Sequence, residues 1–171
     1  MSGSLPGAAS KFRDYRPGDF AELVALDQQC FEPGIAYSPY EMRRFLGLAS
    51  REAIVVERNG RLAAFCIGYR SPSRTGRILT IDVNATERRN GIGRALLEEM
   101  ALRLSKAGAT ETVLEVDVTN AGAIAFYERL GFRSTTRIPD YYGADRDAFE
   151  MVRRETPAKS TSSSRLLTPD P

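Results

Sequence analysis

Residues 77–108 read RILTIDVNATERRNGIGRALLEEMALRLSKAG and predict a strand, a loop with two glycines and a long helix in direct succession. Residues 77–83 are rich in β-branched side chains, which is typical of a strand. Over 93–107 the apolar residues recur every fourth position on one helical face, and Gly108 ends the helix. The residues of that face are Leu96, Met100 and Leu104. A strand that leads into an amphipathic helix indicates an α/β arrangement.

Upstream of this unit, two apolar runs predict a β-hairpin. Residues 53–57 (AIVVE) and 62–69 (LAAFCIGY) flank Asn59-Gly60, a dipeptide typical of tight hairpin turns. Residues 12–15 predict one further short strand near the start of the chain.

Two helices are predicted between that first strand and the hairpin. The first begins at Pro17, and four of its residues follow at helical intervals: Phe20, Leu23, Val24 and Asp27. Ser38-Pro39-Tyr40-Glu41 has the spacing of a capping box with proline at the first helical position, and it starts a short second helix through Leu46.

The second half of the chain adds a strand, a helix and two strands. Residues 112–118 (TVLEVDV) predict a strand, and Asn120 can cap a helix that runs to Leu130. Residues 132–136 and 149–152 predict the last two strands. The order β-α-α-β-β-β-α-β-α-β-β predicts an α/β (α+β) fold, with one mixed, mainly antiparallel sheet of about seven strands and helices on both faces.

Length and composition indicate one domain. The chain has 171 residues, of which 42% are hydrophobic, enough for one sizeable core. We place the domain at residues 11–154. Residues 1–10 and 155–171 are rich in Ser, Pro and Thr and are predicted to be flexible tails.

The charge balance excludes several partners. With 24 Lys+Arg against 22 Asp+Glu, the net charge of +2 gives no broad attraction to nucleic acid or to an anionic membrane. The longest apolar stretch, residues 62–69, is far below the roughly 18 residues of a membrane span. The first residues lack the pattern of a signal peptide. We therefore expect a cytoplasmic location.

Two residue types limit the chemistry. The sequence has no histidine, which excludes Ser-His-Asp catalysis and HExxH metal sites. Cys30 and Cys66 lie far apart with no metal-ligand spacing, so no metal site is expected. In an enzyme, proton transfer would fall to Glu, Asp, Tyr, Lys, Cys or water.

The loop between strand and helix predicts an anion site. Glycines before a helix allow a ligand to approach the backbone closely, and the helix dipole attracts an anion. A simple tight turn would explain the glycines equally well, but three arginines favour phosphate. The residues concerned are Arg88, Arg89, Asn90, Gly91, Ile92, Gly93 and Arg94.

Two motifs together resemble one enzyme family. RRNGIG after ILTIDV resembles the R/Q-x-x-G-x-G/A motif of the GNAT superfamily of acyl-CoA-dependent N-acetyltransferases, and residues 114–132 (LEVDVTNAGAIAFYERLGF) resemble its second motif. The likeness covers about 11–154 and is closest to the protein N-terminal acetyltransferases, which include the bacterial ribosomal-protein-alanine acetyltransferases. It implies transfer of an acetyl group from acetyl-CoA to an amine, most specifically a protein N-terminal α-amine.

The resemblance also implies the cofactor contacts. The backbone of Ile81, Asp82 and Val83 would pair with the pantetheine arm of acetyl-CoA where two strands split, and the loop arginines and amides would hold the pyrophosphate. The N–H of Val83 would stabilise the oxyanion. Asn120 matches a pantetheine-binding position, although a plain N-cap role is equally compatible with its sequence context.

For catalysis, the resemblance implies a base and an acid. Glu115 matches the general base of the N-terminal acetyltransferases, whereas an isolated strand glutamate would be interpreted as a solvated residue. Tyr127 matches the tyrosine that protonates or hydrogen-bonds the departing thiolate, although on residue type alone it would be a core aromatic.

The acceptor side is implied by three tyrosines. Tyr141 and Tyr142, within PDYYG, resemble the tyrosine pair of the subfamily's last hairpin loop, and Tyr37 lies in the predicted loop between the first two helices. The chain has no Trp and differs from the ribosomal enzymes before Ser38. A small-amine acetyltransferase and a CoA-binding sensor without turnover remain alternatives. We expect a monomer or weak dimer.

Overall fold

The computed structural model describes residues 10–156, so residues 1–9 and 157–171, with most of the two predicted tails, lie outside the described part of the chain. The strands are β1 (Ser10–Asp14), β2 (Arg51–Arg58), β3 (Arg61–Arg70), β4 (Thr75–Val83), β5 (Glu111–Asp117), β6 (Arg133–Ile138) and β7 (Ala148–Arg154). The helices are α1 (Phe20–Cys30), α2 (Pro39–Leu46), α3 (Ile92–Lys106) and α4 (Ala121–Arg129), with short 3-10 turns at Pro17–Asp19 and Ala85–Glu87.

All seven strands form one sheet in the order β1-β2-β3-β4-β5-β7-β6. Every neighbouring pair is antiparallel except β4 and β5, which are parallel. The predicted fold class is thereby confirmed. β1 begins at Ser10, two residues before the predicted strand, because Ser10 and Lys11 pair with Arg58 and Glu57 of β2.

Helices cover both faces of the sheet and build two cores. On one face, α3 packs its buried apolar residues against β2–β4, together with Phe132 and Met151. On the other face, α1 and α2 contribute Leu23, Leu26 and Met42, which meet Phe65 and Ile67 of β3. Burial on both faces explains why the central strands read as continuous apolar runs.

Two strand glycines allow α3 to lie close to the sheet. A Cβ added at Gly68 would come within 3.1 Å of the Met100 sulfur, and one at Gly76 within 3.0 Å of a Leu104 methyl. Larger residues at these positions would push the helix away. The close packing fixes the position of the loop that precedes α3.

The strands β4 and β5 separate soon after they meet. They pair only at Thr75–Arg77 of β4 and Glu111–Val113 of β5. Past that joint, the β3 register shifts so that Leu79 of β4 has no direct partner. A bulge of this kind bends a strand and disrupts its pairing. The result is a cleft that opens between residues 78–83 and 114–117.

Candidate active site

The cleft between β4 and β5 joins a wider groove. The groove has a volume of about 740 Å³ and lies between the α1–α2 loop and the β6–β7 loop. Cleft and groove share four lining residues: Phe31, Ile35, Tyr37 and Tyr142. Glu115, Asn120 and Tyr127 line the cleft on its β5 and α4 side. A molecule in the cleft can therefore meet a second molecule in the groove.

The backbone of β4 presents free polar groups to the cleft. The N–H of Asn84 donates to the carbonyl of Ala63 at 2.9 Å, which sets the phase of the β3–β4 ladder. With that phase, the N–H and C=O groups of Ile81 and Val83 face away from β3. The Val83 carbonyl accepts a hydrogen bond from Arg88 Nε at 3.1 Å, which leaves the N–H and C=O of Ile81 and the N–H of Val83 for a ligand in the cleft. The backbone of Asp82 instead pairs with Phe65 of β3. Of the three residues predicted to contact pantetheine, Ile81 and Val83 therefore have backbone groups directed toward the cleft, and Asp82 does not.

The arginine-glycine loop is held in an unusual backbone conformation. Arg89 has φ +65° and Gly91, the N-cap of α3, has φ +76°. Among the described residues, no side chain caps this helix end, so the amides of the first turn are left for another acceptor. A Cβ built at Gly91 would meet no atom of residues 10–156 within 4 Å, so that part of the chain leaves open space beside the loop. Loop and helix end therefore form an electropositive concave surface.

Glu115 is a nearly buried carboxylate at the junction of cleft and groove. Its side chain is 10% exposed and forms an ion pair with Arg77 of β4. Burial raises the pKa of Glu115, Arg77 opposes the rise and Glu150 adds to it. The hydroxyl of Tyr141 lies beside the same carboxyl and lowers its pKa. The net upward direction suits a group that accepts a proton near neutral pH.

Tyr127 lies across the cleft from β4 and is fixed by two aromatic neighbours. Its ring makes edge contacts with Phe126 at 5.3 Å and Phe132 at 5.9 Å between centroids. Burial raises the pKa of its phenol. The hydroxyl forms no hydrogen bond with any other residue of 10–156, which leaves a neutral donor facing the cleft.

Asn120 caps α4 by accepting from Ala123 N–H at 3.1 Å, and it also lines the cleft. The role of Asn120 as an N-cap is therefore compatible with a role in binding pantetheine.

The three predicted acceptor-side tyrosines gather around the groove. Tyr141 and Tyr142 form an edge-to-face pair with centroids 4.8 Å apart. Tyr37 makes a similar contact with Phe45 at 4.8 Å. Burial raises the pKa of Tyr141 to about 12, so its phenol stays neutral. The groove therefore has phenol groups on two opposite loops, all able to hydrogen-bond a polar ligand.

A buried pair of carboxyl groups supports the floor of the site. Asp27 of α1 and Asp82 of β4 are 0% and 1% exposed. Asp27 accepts a hydrogen bond from the N–H of Tyr37 at 2.7 Å, and Thr80 donates to Asp82 at 3.1 Å. Desolvation, followed by the charge of the neighbouring carboxyl, raises the pKa of Asp82. Desolvation likewise raises the pKa of Asp27 to about 6. The pair thus retains a proton near neutral pH.

The structure adds three residues that the sequence analysis did not assign: Arg77, Glu150 and Asp27. Strand pairing places Glu150 directly opposite Glu115, and this register has no sequence signal. For Asp27 a sequence signal existed, because a carboxylate lies on the apolar face of a predicted helix.

Within residues 10–156, no group of three His, Cys, Asp or Glu side chains lies close enough to hold a metal ion. None of the helices in that range is long and apolar enough to cross a membrane.

Comparison with known proteins gives the family. Residues 20–132 match the Acetyltransferase (GNAT) family, and the chain belongs to this family. A relative from Escherichia coli strain K12, a [ribosomal protein bS18]-alanine N-acetyltransferase, is 42% identical over 84 residues, which are 49% of this chain and 56% of the relative. The chain thus spans little more than half the length of that relative.

Two further comparisons extend over more of the chain. N-alpha-acetyltransferase 30 of Schizosaccharomyces pombe is 32% identical over 138 residues, covering 78% of this chain and 89% of that protein. The solved structure of the NatC complex bound to Gag peptide and CoA contains a chain that is 26% identical and superposes with a TM-score of 0.74. The superposition covers 86% of this chain and 99% of that chain.

Proposed function

We propose that this protein transfers an acetyl group from acetyl-CoA to the α-amine at the N-terminus of a protein or peptide. The observation that carries the proposal is the meeting of cleft and groove at Tyr142, with Glu115 and Tyr127 among the residues that line the cleft. Two substrates that enter from different sides would react there without a covalent enzyme intermediate.

The donor side fits acetyl-CoA in two respects. The outward N–H and C=O of Ile81 and the outward N–H of Val83 offer an extended chain such as pantetheine the partners that β5 does not supply. The first turn of α3 and the loop around Arg89 and Gly91 offer amides and positive charge to a pyrophosphate. Arg88, Asn90 and Arg94 complete that loop.

Glu115 is proposed as the general base. Its carboxylate accepts the proton that the amine nitrogen loses as the new C–N bond forms, directly or through one water. The N–H of Val83 faces the cleft and would donate to the oxyanion that develops on the thioester carbonyl. Glu115→Gln should lower kcat by about a hundredfold or more while acetyl-CoA affinity is retained.

Tyr127 is proposed to stabilise the sulfur that leaves when the C–S bond breaks. A thiol has a pKa of about 8.5, and the raised pKa of this phenol makes complete proton transfer to the thiolate unfavourable. Hydrogen bonding from the phenol to the thiolate is therefore the role that fits, with the proton supplied afterwards from solvent.

An α-amine fits the acceptor side better than a lysine side chain. An α-amine has a pKa of about 7.7–8.0 against about 10.4 for lysine, so a carboxylate base removes its proton at lower cost. The phenols of Tyr141 and Tyr142 lie where they can bond the first peptide groups behind that amine. Similarity to the alanine N-acetyltransferase and the N-alpha-acetyltransferase supports this choice, and the CoA- and peptide-bound structure supports both ligands. A ribosomal or other cytoplasmic protein would be a suitable acceptor.

The experiment compares two peptides that differ only at the N-terminus and at one internal position. One has a free N-terminus and no lysine, and the other has a blocked N-terminus and one internal lysine. We expect a higher kcat/KM for the free N-terminus. Greater activity on the blocked peptide, or activity on polyamines and aminoglycosides only, would exclude the N-terminal acceptor. Binding of CoA without any turnover would indicate the sensor alternative.

A further inference from the structure

Three charged side chains from three strands meet on the face of the sheet that α1 and α2 also cover. Arg77 of β4 forms an ion pair with Glu115 of β5, and its Nη2 lies 3.9 Å from a carboxylate oxygen of Glu150 on β7. Glu115 and Glu150 are direct partners in the β5–β7 ladder. Like charges at such positions repel each other, so the guanidinium between them offsets a cost that the sheet would otherwise carry.

The position of Arg77 is set by the fold. Arg77 is the last β4 residue that pairs with β5 before the strands separate. Its side chain therefore reaches the joint where the cleft begins and fills the space between the two glutamates. Glu150 is held from its other side by Thr135 of β6, whose hydroxyl lies 3.4 Å from the carboxylate. The cluster of Arg77, Glu115 and Glu150 thus connects three neighbouring strands, and Thr135 adds a fourth.

The three side chains of this cluster are buried to different extents. The Glu115 side chain is 10% exposed, whereas Arg77 and Glu150 are 31% and 29% exposed. Charges act most strongly on the least hydrated group, so changes at either neighbour should act mainly on Glu115. Two carboxylates against one guanidinium leave one net negative charge at the place where an acceptor ammonium would arrive.

The other groups around Glu115 contribute little charge. Tyr141 and Tyr142 approach from the β6–β7 loop and Tyr37 from the α1–α2 loop, and burial raises the pKa of each phenol. Asp117, two residues along β5, is paired with Arg146 at 3.3 Å. Arg77 and Glu150 therefore dominate the electrostatic environment of Glu115.

We propose that Arg77 and Glu150 are positioning residues for Glu115: Arg77 fixes the orientation of its carboxylate, and the opposing charges of the two neighbours set the pH range in which it accepts a proton. The inference rests on the proposed function because it takes Glu115 as the base. It assigns roles to two residues that make no contact with the reacting atoms.

The test uses the acidic limb of the kcat/KM–pH profile, measured with the free N-terminal peptide. Arg77→Gln removes the cation and should move the limb to higher pH by roughly one unit, whereas Glu150→Gln removes a like charge and should move it to lower pH. Arg77→Lys keeps the charge, so the limb should stay near its wild-type position even where the rate falls. A purely structural role predicts slower variants without opposite shifts.

Controls separate this inference from the proposed function. Glu98→Gln removes a carboxylate that pairs with Arg153 at 3.1 Å, away from the cleft, and should leave the profile unchanged. Acetyl-CoA affinity and thermal unfolding of each variant show whether the site is intact. Because Glu150→Gln relieves a repulsion, it should fold even if Arg77→Gln does not.

The outcomes are distinct. If Glu115→Gln abolishes turnover, and Arg77→Gln and Glu150→Gln shift the acidic limb of the pH profile in opposite directions, the inference is confirmed. If Glu115→Gln abolishes turnover but both shifts are absent or have the same sign, this inference is overturned and the proposed base remains. If Glu115→Gln retains wild-type turnover, the proposed base is wrong and the inference is wrong with it.

Discussion

The hydroxyl of Tyr37 donates a hydrogen bond to the backbone carbonyl of Leu79 at 3.1 Å. Leu79 is the bulged residue of β4, and Tyr37 belongs to the loop that lines the groove. One bond therefore ties the proposed acceptor side of the site to the strand that borders the cleft.

Removing that bond should affect the acceptor more than the donor. We expect Tyr37→Phe to lower stability by about 1 kcal/mol and to reduce kcat/KM for the peptide, because the loop is no longer fixed to β4. Acetyl-CoA affinity, measured by calorimetry, should change little. Tyr40→Phe is a matched control, since Tyr40 follows on α2 and is 71% exposed. Equal behaviour of the two variants would show that the bond has no role in the site.

A negative charge introduced in the loop before α3 should weaken donor binding. Gly91→Glu places a carboxylate in the open space beside the first-turn amides, and we expect acetyl-CoA affinity to fall by about tenfold or more. Gly108→Glu is the control, because Gly108 also has a positive φ, +99°, and open space but lies at the other end of α3. The backbone strain is similar in both, so a similar loss of affinity in both would contradict an anion site at Gly91.

The phenol of Tyr127 should matter for the rate and not for binding. Tyr127→Phe keeps the ring contacts with Phe126 and Phe132 and deletes the donor. One hydrogen bond to a developing thiolate is worth about tenfold in kcat. Tyr15→Phe, in the core beside α1 and α2, provides the comparison for loss of a hydroxyl elsewhere. An unchanged kcat in Tyr127→Phe would exclude the proposed role.

The buried Asp27–Asp82 pair should make stability depend on pH. The folded-state pKa of Asp27, about 6, lies above its ordinary value of 3.8, so the folded state retains a proton that the unfolded state releases. The free energy of unfolding should then fall as pH rises from about 4 through about 6. Asp27→Asn, which keeps an acceptor for the Tyr37 N–H, should reduce this loss.

Chemical denaturation at a series of pH values measures the effect. Asp19 supplies a control in which stability depends on pH in the opposite direction. Hydrogen bonds from Arg13 lower the pKa of Asp19, so its contribution to the free energy of unfolding is present above the ordinary pKa of an aspartate. Asp19→Asn should therefore destabilise the protein near neutral pH. A pH dependence in Asp27→Asn that equals that of the wild type would show that the pair does not share a proton.

The regular part of the fold could be predicted because its signals are local. The Asn59-Gly60 turn has positive φ at both residues, and the predicted Ser38–Glu41 capping box begins α2. Apolar residues at every fourth position gave α3 its core face. Strand ends were less well predicted: β4 begins at Thr75 and not at Arg77, because polar residues continue the ladder past the apolar run.

The cluster around Glu115 could not be predicted in full, for a physical reason. Glu115 itself follows from a motif, but Arg77 and Glu150 reach it only through a parallel joint and an antiparallel register between distant segments. The carboxyl partner of Asp82 could not be predicted from the sequence, because Asp27 approaches Asp82 only when α1 packs across β4. The charge environment of a site is thus a tertiary property even where its base is recognisable in the sequence.

The short joint between β4 and β5 has a mechanical consequence. Three residue pairs carry little bending stiffness between the β1–β4 half of the sheet and the β5–β7 half. α3 contacts β2, β3 and β4 on one side of the joint and β5 on the other, so this helix holds the two halves of the sheet together. An anion bound at the first turn of this helix, as proposed, would therefore be fixed relative to both halves at once.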